Sequence, residues 1–277
     1  MSAIEIENLE IELFLEGVFK RYGYDFRNYA RASLHRRINM LLDEENHKHI
    51  TNLLADILYN DQVFKNFLQK MSITVTEMFR DHNFFIALRK KILPKLCSFP
   101  RLKIWHAGCA TGEEVYSTAI VLYEAGLLER SIIYATDYNN ISLEAAKLGV
   151  YSSDLIKAYT MNYNKSEGES SFSEYYLAKY GNAIMDSKLK KNIVFSHHNL
   201  VSDGVFGNMN LVICRNVLIY FNKELQDHVL NKLADSLDIS GFLCLGGKET
   251  IDYSSISEQF RQVTEQKIYQ KRSVRIY

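Results

Sequence analysis

Two carboxylates placed directly after two glycines pose the chemical question. In WHAGCATGEEVYS, residues 105–117, Gly108 and Gly112 bracket a run of small residues, and Glu113 and Glu114 follow at once. The stretch lies between an apolar segment, LKIWHA, and a helix-patterned one, VYSTAIVLYEAG. Glycines there let backbone approach a ligand closely. A phosphate would seek the positive start of the helix, but two carboxylates in the first turn repel it. The GxGxxG spacing is also absent. A dinucleotide or nucleoside triphosphate is therefore disfavoured, and a ligand that is itself cationic is favoured. The next apolar segment, SIIYATD, ends in Asp137. An acidic side chain at that point can accept hydrogen bonds from both hydroxyls of a ribose. A ribose and a positive charge without phosphate describe S-adenosylmethionine. A plain structural turn remains the alternative for the loop. For Asp137 the alternative is a cap on the helix NISLEAAKL.

These residues need a scaffold, and the apolar pattern implies one. From LKIWHA onward, short apolar strands alternate with helices: SIIYATD, NISLEAAKLG, NIVFSHHN, MNLVICRN, KELQDHVLNKLADSL and GFLCLGG. That alternation predicts a doubly wound, Rossmann-like α/β domain over residues 101–277, its sheet covered on both faces. The stretch from about 151 to 191 breaks the rhythm and is read as an insertion on the α/β domain. Its hairpin is expected to turn at Gly181-Asn182. The chain before residue 73 reads as an all-helical domain. Ile6, Leu9, Leu13 and Phe14 recur at helical spacing, as do Leu34, Ile38, Leu41 and Leu42. Two shorter patterns cover Ile50–Leu58 and Val63–Leu68. Residues 73–100 are expected to form a linker and a helix lining the cofactor site.

Bulk composition narrows the function classes. Lysine plus arginine and aspartate plus glutamate each number 33 in 277 residues, so the formal net charge is zero. No general nucleic-acid or membrane binding is implied, and a charged partner must be met by a local patch. The four cysteines, Cys97, Cys109, Cys214 and Cys244, show no pairing pattern and read as reduced thiols. The acidic start, MSAIEIENLEIELFLEG, is no signal peptide. No apolar run is long enough to span a bilayer. A cytoplasmic monomer without a metal is expected.

The blocks YDFRNYARASLHRRI, ITVTEMFRD, HAGCATGEEVYS, ATDYN, CRNVLIYF and GFLCLGGKE, in this order, resemble the CheR-type chemoreceptor glutamate methyltransferases. The resemblance spans nearly the whole chain and implies a helical N-terminal domain on a methyltransferase domain, with a small antiparallel β-subdomain inserted at about 160–192. It implies S-adenosylmethionine-dependent esterification of glutamates on the cytoplasmic helical bundle of chemoreceptors, with S-adenosylhomocysteine as product. By the same resemblance Thr76 and Arg80 match the T-x-x-F-R block, with Thr74 a further contact. Glu114 matches the acidic loop residue at the cofactor, and Asp137 the ribose aspartate. Asn199 and Leu200 match the pair that closes over adenine. Arg215, Asn216 and Tyr220 match C-R-N-x-x-I-Y. Arg80 and Tyr220 are the expected catalytic residues. Each also has a structural alternative: a surface ion pair for Arg80, core packing for Tyr220, a turn cap for Asn199, and a pairing with Glu113 or Glu114 for Arg215.

Glutamate is already ionised at neutral pH, so attack on a sulfonium methyl needs no general base. His197 and His198 are accordingly read as structural or rim residues. The second helix pattern carries Arg27, Arg31, His35, Arg36 and Arg37. Arg31, Arg36 and Arg37 are expected to dock an acidic receptor bundle, with a solvated basic face as the alternative. Two other functions remain open: a non-catalytic module that binds the cofactor, and an NAD-dependent oxidoreductase, which the carboxylate pair disfavours.

Overall fold

The computed structural model describes residues 1–71 and 76–273. The chain forms two compact units, Met1–Ile73 with Ile219–His228, and Thr74–Leu218 with Val229–Tyr277. Thr74 lies outside the described residues.

The first unit is built on α1 (Ala3–Tyr22), α2 (Arg31–Glu44), α3 (Ile50–Tyr59) and α4 (Asp61–Met71). Helix α1 starts in a capping box: Glu5 N–H donates to Ser2 Oγ, and Ser2 N–H donates to the Glu5 carboxylate. It stops at Gly23, whose φ of 77° suits a residue without Cβ. The face of α1 that packs is Ile11, Phe14, Leu15 and Val18, not the expected Ile6, Leu9 and Leu13, which are about half exposed. The helix is apolar on two sides, so spacing alone could not choose between them. Phe14 and Phe26 both meet Phe67 edge to face.

Arg37 corrects the expected docking surface. It falls on the same stripe as Leu34, Ile38 and Leu41 and is only 4% exposed. Its Nη1 donates to the Met71 carbonyl at 2.5 Å, and its guanidinium lies 4.8 Å from the centre of the Tyr220 ring. Arg31 and Arg36 are exposed, as expected, although Arg31 pairs with Glu12 at 3.2 Å. The segment Ile219–His228 joins this unit through backbone pairing. Ala30 N–H donates to the Tyr220 carbonyl at 2.8 Å, and Asn222 N–H to that of Asn28 at 2.9 Å.

In the second unit, α5 (His82–Ala87), a π turn (Leu88–Ile92) and α6 (Leu93–Leu96) precede β1 (Leu102–Ala107), α7 (Glu113–Glu124), β2 (Ser131–Asp137) and α8 (Asn140–Leu148). Next come β3 (Val150–Ser152), α9 (Ser153–Lys165), β4 (Tyr176–Lys179), β5 (Asn182–Met185), α10 (Ser187–Lys190), β6 (Ile193–His197) and β7 (Met209–Cys214). The chain continues through α11 (Lys223–Asp235), β8 (Leu237–Leu245), β9 (Phe260–Thr264) and β10 (Ile268–Lys271). The main sheet has the order β6-β2-β1-β7-β8-β10-β9. Its first five strands are parallel, and β10 runs antiparallel to both neighbours. The fold is therefore the expected mixed α/β sheet with a helical domain before it. Every residue of β7 is buried, which explains the apolar run Leu211–Cys214, and the polar Asn210 is buried with its Oδ1 accepting from Lys103 N–H and its Nδ2 donating to Asp238.

A separate antiparallel sheet, β3-β5-β4, forms the expected subdomain, and its first strand lies at 150–152, earlier in the chain than residue 160. The hairpin turn is Tyr180-Gly181, one residue before the expected pair: Lys179 pairs with Asn182, and the two central residues have φ of 49° and 72°. Two positive φ values define a type I′ turn, which needs glycine most at its second central position.

The burial of Arg37 predicts that Arg37→Ala will lower stability by about 2–4 kcal/mol, through loss of a charged hydrogen bond and of packing on Tyr220. Urea unfolding of the wild type and variant measures this. A change within about 0.5 kcal/mol, as at a surface site, would contradict it.

Candidate cofactor site at the carboxyl edge of the sheet

The connections after β1, β2, β6 and β7 all leave the same edge of the parallel sheet, where open α/β folds bind ligands. The loop after β1 is fixed by backbone. Gly108 and Cys109 N–H groups both donate to the Thr136 carbonyl at 2.9 Å. Gly108 has a φ of 82°, and a Cβ there would come within 2.6 Å of Val217 Cγ2. A side chain is thus excluded twice, by conformation and by space.

Asp137 is 8% exposed. Its Oδ2 accepts from Ala110 N–H and its Oδ1 from Asn139 N–H, each at 2.9 Å. The cap of α8 is the Asn139 side chain, which accepts from Ile141 and Ser142 N–H groups. Asp137 is therefore not the cap. It ties the glycine loop to the end of β2. Burial pushes its carboxyl above the usual range, opposed by the donated N–H bonds.

The glutamate pair after Gly112 divides into two different groups. Glu114 Oε2 accepts from Arg215 Nη1 at 2.6 Å, and Glu114 Oε1 lies 3.4 Å from His106 Nδ1. The other side of Arg215 is held by Asp81 Oδ2, also at 2.6 Å, and its guanidinium lies 4.1 Å from the Phe84 ring centre. Arg215 thus bridges two carboxylates, which leaves one net negative charge. Burial raises the Glu114 carboxyl, but Arg215 and His106 outweigh it and hold the group below its ordinary value. Glu113 is 5% exposed and accepts from Thr111 Oγ1 at 2.7 Å. Burial pushes its carboxyl up to about 7. The local negative charge is therefore smaller than the two glutamates suggest, and Glu114, Asp81 and Asp137 supply it.

Asn199 Oδ1 accepts from Val201 N–H at 2.9 Å, so this side chain does close a turn. Leu200 is buried, and its carbonyl accepts from Lys232 Nζ at 2.6 Å. Asn216 has a φ of 60°. Its N–H, together with those of Val217, Leu218 and Gly246, converges on the Glu249 carboxylate. Thr76 is half-buried and Arg80 exposed. Arg80 sits between Phe79 and Asp81, which have φ values of 54° and 55°. Such a conformation costs a bulky residue free energy and persists only where surroundings impose it. Here Phe79 is fully buried, with its N–H on Ser117 Oγ at 2.9 Å, and Asp81 is held by Arg215. Tyr220 belongs to the helical unit. Of the two histidines, His198 packs edge-on against Trp105 with Nε2 3.1 Å from the Gly204 carbonyl.

Two contributors were missed in sequence, Asp81 and Glu249. Both lie inside the quoted blocks, directly after Arg80 and at the end of GFLCLGGKE, but nothing in their spacing marks them as partners of residues far along the chain.

The residues fit S-adenosylmethionine: a buried aspartate at the end of β2, carboxylates rather than cations at the start of α7, and net negative charge beside the loop. Comparison with known proteins agrees. The model of the CheR methyltransferase S-adenosylmethionine-binding domain matches residues 74–269, and that of the CheR all-alpha domain matches residues 9–72. The chain belongs to the CheR methyltransferase family. Cher3 of Pseudomonas putida, whose own methyltransferase assignment is provisional, is 48% identical over 98% of this chain and 100% of that protein. A chemotaxis protein methyltransferase of Listeria innocua is 33% identical over 86% of this chain and 89% of that protein. One from Vibrio parahaemolyticus is 29% identical over 95% and 96%. Among the described residues, no helix is long and apolar enough to cross a membrane.

The raised Glu113 carboxyl has a signed consequence. The folded state holds this proton more tightly than the unfolded chain. The associated stability is fully present below about pH 4.5 and is lost as pH rises through about 7. Glu113→Gln should therefore gain on the wild type by roughly 2–3 kcal/mol between pH 5 and pH 8. Urea midpoints across that range report it. A difference that stays constant with pH would place the Glu113 carboxyl near its ordinary value.

Proposed function

We propose that the chain transfers a methyl group from S-adenosylmethionine to glutamate side chains of chemoreceptors, giving glutamate methyl esters in the service of sensory adaptation. The observation that carries the reading is the match to both domains of one family, with Arg80, Glu114, Asp137, Asn199, Leu200, Arg215, Asn216 and Tyr220 all present. Relatives named chemotaxis protein methyltransferases support the substrate class. We place the reaction on the cytoplasmic helical bundle of the receptor.

When bound, the cofactor supplies a methyl group already activated on a sulfonium. The incoming glutamate has an ordinary pKa near 4.3 and needs no base. What remains for the protein is alignment and removal of water, which can account for about 7–11 kcal/mol of a barrier. Asp137 holds the ribose, and Asn199-Leu200 covers the adenine. Glu114, fixed by Arg215, supplies the acidic wall of the loop, and Asn216, Thr76 and Thr74 are assigned to the cofactor by the family blocks. Arg80 gains nothing near a sulfonium. Its role is to hold a carboxylate, either of the cofactor's methionine end or of the substrate glutamate. The Tyr220 hydroxyl orients the attacking oxygen. The direct test is transfer of labelled methyl to receptor fragments from the same cell. Base-labile label on glutamate supports the reaction class, and label on nitrogen, or none, rejects it.

Positioning and binding should separate kinetically. Tyr220→Phe should lower the single-turnover rate far more than affinity for S-adenosylhomocysteine, because the lost contact matters to the reacting geometry. Arg80→Ala should also lower the rate. Asp137→Ala should weaken S-adenosylhomocysteine by about 1.5–3 kcal/mol, the range for hydrogen bonds to charged groups. Calorimetry and rapid-quench methylation measure these. Near-normal rates in the first two variants would remove both residues from catalysis.

Docking is assigned to Arg31 and Arg36, the two of the three expected arginines that remain exposed. Reversing both to Glu should raise KM for the receptor and leave cofactor affinity unchanged. Methylation should also weaken as salt shortens the screening length to about 3 Å at 1 M. An unchanged KM in the double variant would move docking to another face.

A further inference from the structure

The Glu249 carboxylate is 4% exposed and receives four backbone N–H groups. Oε1 accepts from Val217 at 2.9 Å and Leu218 at 2.8 Å. Oε2 accepts from Asn216 at 3.0 Å and Gly246 at 2.6 Å. Successive N–H groups that converge in this way form a concavity suited to an anion, of the kind that elsewhere takes a phosphate. Here the chain supplies the anion itself. The fit is close on every side. A Cβ on Gly246 would lie 2.8 Å from Glu249 Oε2 and 2.9 Å from the Asn216 nitrogen. The three donors at 216–218 begin at Asn216, whose φ is 60°, and convergence on one carboxylate holds that conformation in place. The Val217 side chain then occupies the space a side chain on Gly108 would need. A path of contacts thus runs from Glu249 through the 216–218 turn to the first glycine of the cofactor loop.

We propose that Glu249 is a positioning residue for S-adenosylmethionine. It acts as a built-in anion that sets the Asn216 turn and, through Val217, the Gly108 loop. Glu249 touches neither cofactor nor substrate in this role. The chemistry demands a carboxylate and not merely a side chain of that size. Each oxygen takes two N–H donors, so an amide would have to point its NH2 at two of them in either orientation.

The inference rests on the cofactor and not on the receptor, so its test uses S-adenosylhomocysteine affinity alone. Calorimetry is run on the full chain as wild type, Glu249→Gln and Glu249→Ala, in sodium chloride and in sodium formate of equal ionic strength. Both variants should lose about ten- to a hundredfold in affinity. Formate should restore part of the loss in Glu249→Ala by entering the emptied concavity, and should change neither the wild type nor Glu249→Gln. If Glu249→Ala folds only in formate, and binds there, the proposal is also upheld. Wild-type affinity in Glu249→Gln would overturn it. So would a Glu249→Ala variant that formate leaves unimproved, or one that fails to fold in both salts. Loss of receptor methylation with normal affinity in the wild type would count against the substrate class and leave this proposal standing.

Discussion

A carboxylate taken out of water must be given donors, or it costs several kcal/mol. The carboxyl edge of the sheet is organised by that requirement. Asp137 takes the N–H groups of Ala110 and Asn139, and the glycine loop is thereby tied to β2. Glu114 takes Arg215, and Arg215 in turn takes Asp81, which fixes the residue after Arg80. Glu249 takes four backbone donors and fixes the turn after β7. Three buried or partly buried acids therefore set three connections, and Arg215 reaches more than a hundred residues back along the chain to both Glu114 and Asp81. Glu113 is the exception. With one hydroxyl donor, it meets the same cost by holding a proton near neutral pH.

The arrangement suits a reaction that asks little chemically and much geometrically. In the proposed reaction a nucleophile that arrives ionised and a methyl group that arrives activated leave orientation as the protein's contribution. Orientation requires loops that do not move, and these loops are tied by charged hydrogen bonds, which are the stronger kind. The two positive φ values around Arg80 belong to the same design. A segment that would relax if left alone is held by Ser117 on one side and Arg215 on the other.

The helical unit shows the opposite use of a charge. Arg37 is not spent on solvent or on an acidic surface. It is buried between the Met71 carbonyl and the Tyr220 ring. Its planar guanidinium can donate in its plane and lie against an aromatic face at once, which a lysine cannot do. The return of Ile219–His228 to this unit is backbone-paired at Ala30 and Asn28, so the position of Tyr220 is set by main chain as well as by its ring.

Sequence by itself determined the class of fold and the cofactor. The alternation of strands and helices, the glycines and acids of residues 108–114, and Asp137 at a strand end are local patterns, and local patterns survive in one dimension. The family blocks, quoted in order, extended that reading over nearly the whole chain. Tertiary structure alone decided which face of α1 is buried, because apolar residues on both sides satisfy the same periodicity. It alone placed Arg37 inside, since a charged residue on an apolar stripe can be buried only if distant groups, here Met71 and Tyr220, receive it. The hairpin turn moved by one residue because strand register, not composition, selects the two positions with positive φ. Asp81 and Glu249 went unread for the same reason. Their partners, Arg215 and the 216–218 turn, are brought to them by the strand order, and no spacing along the chain records that two loops will share an edge.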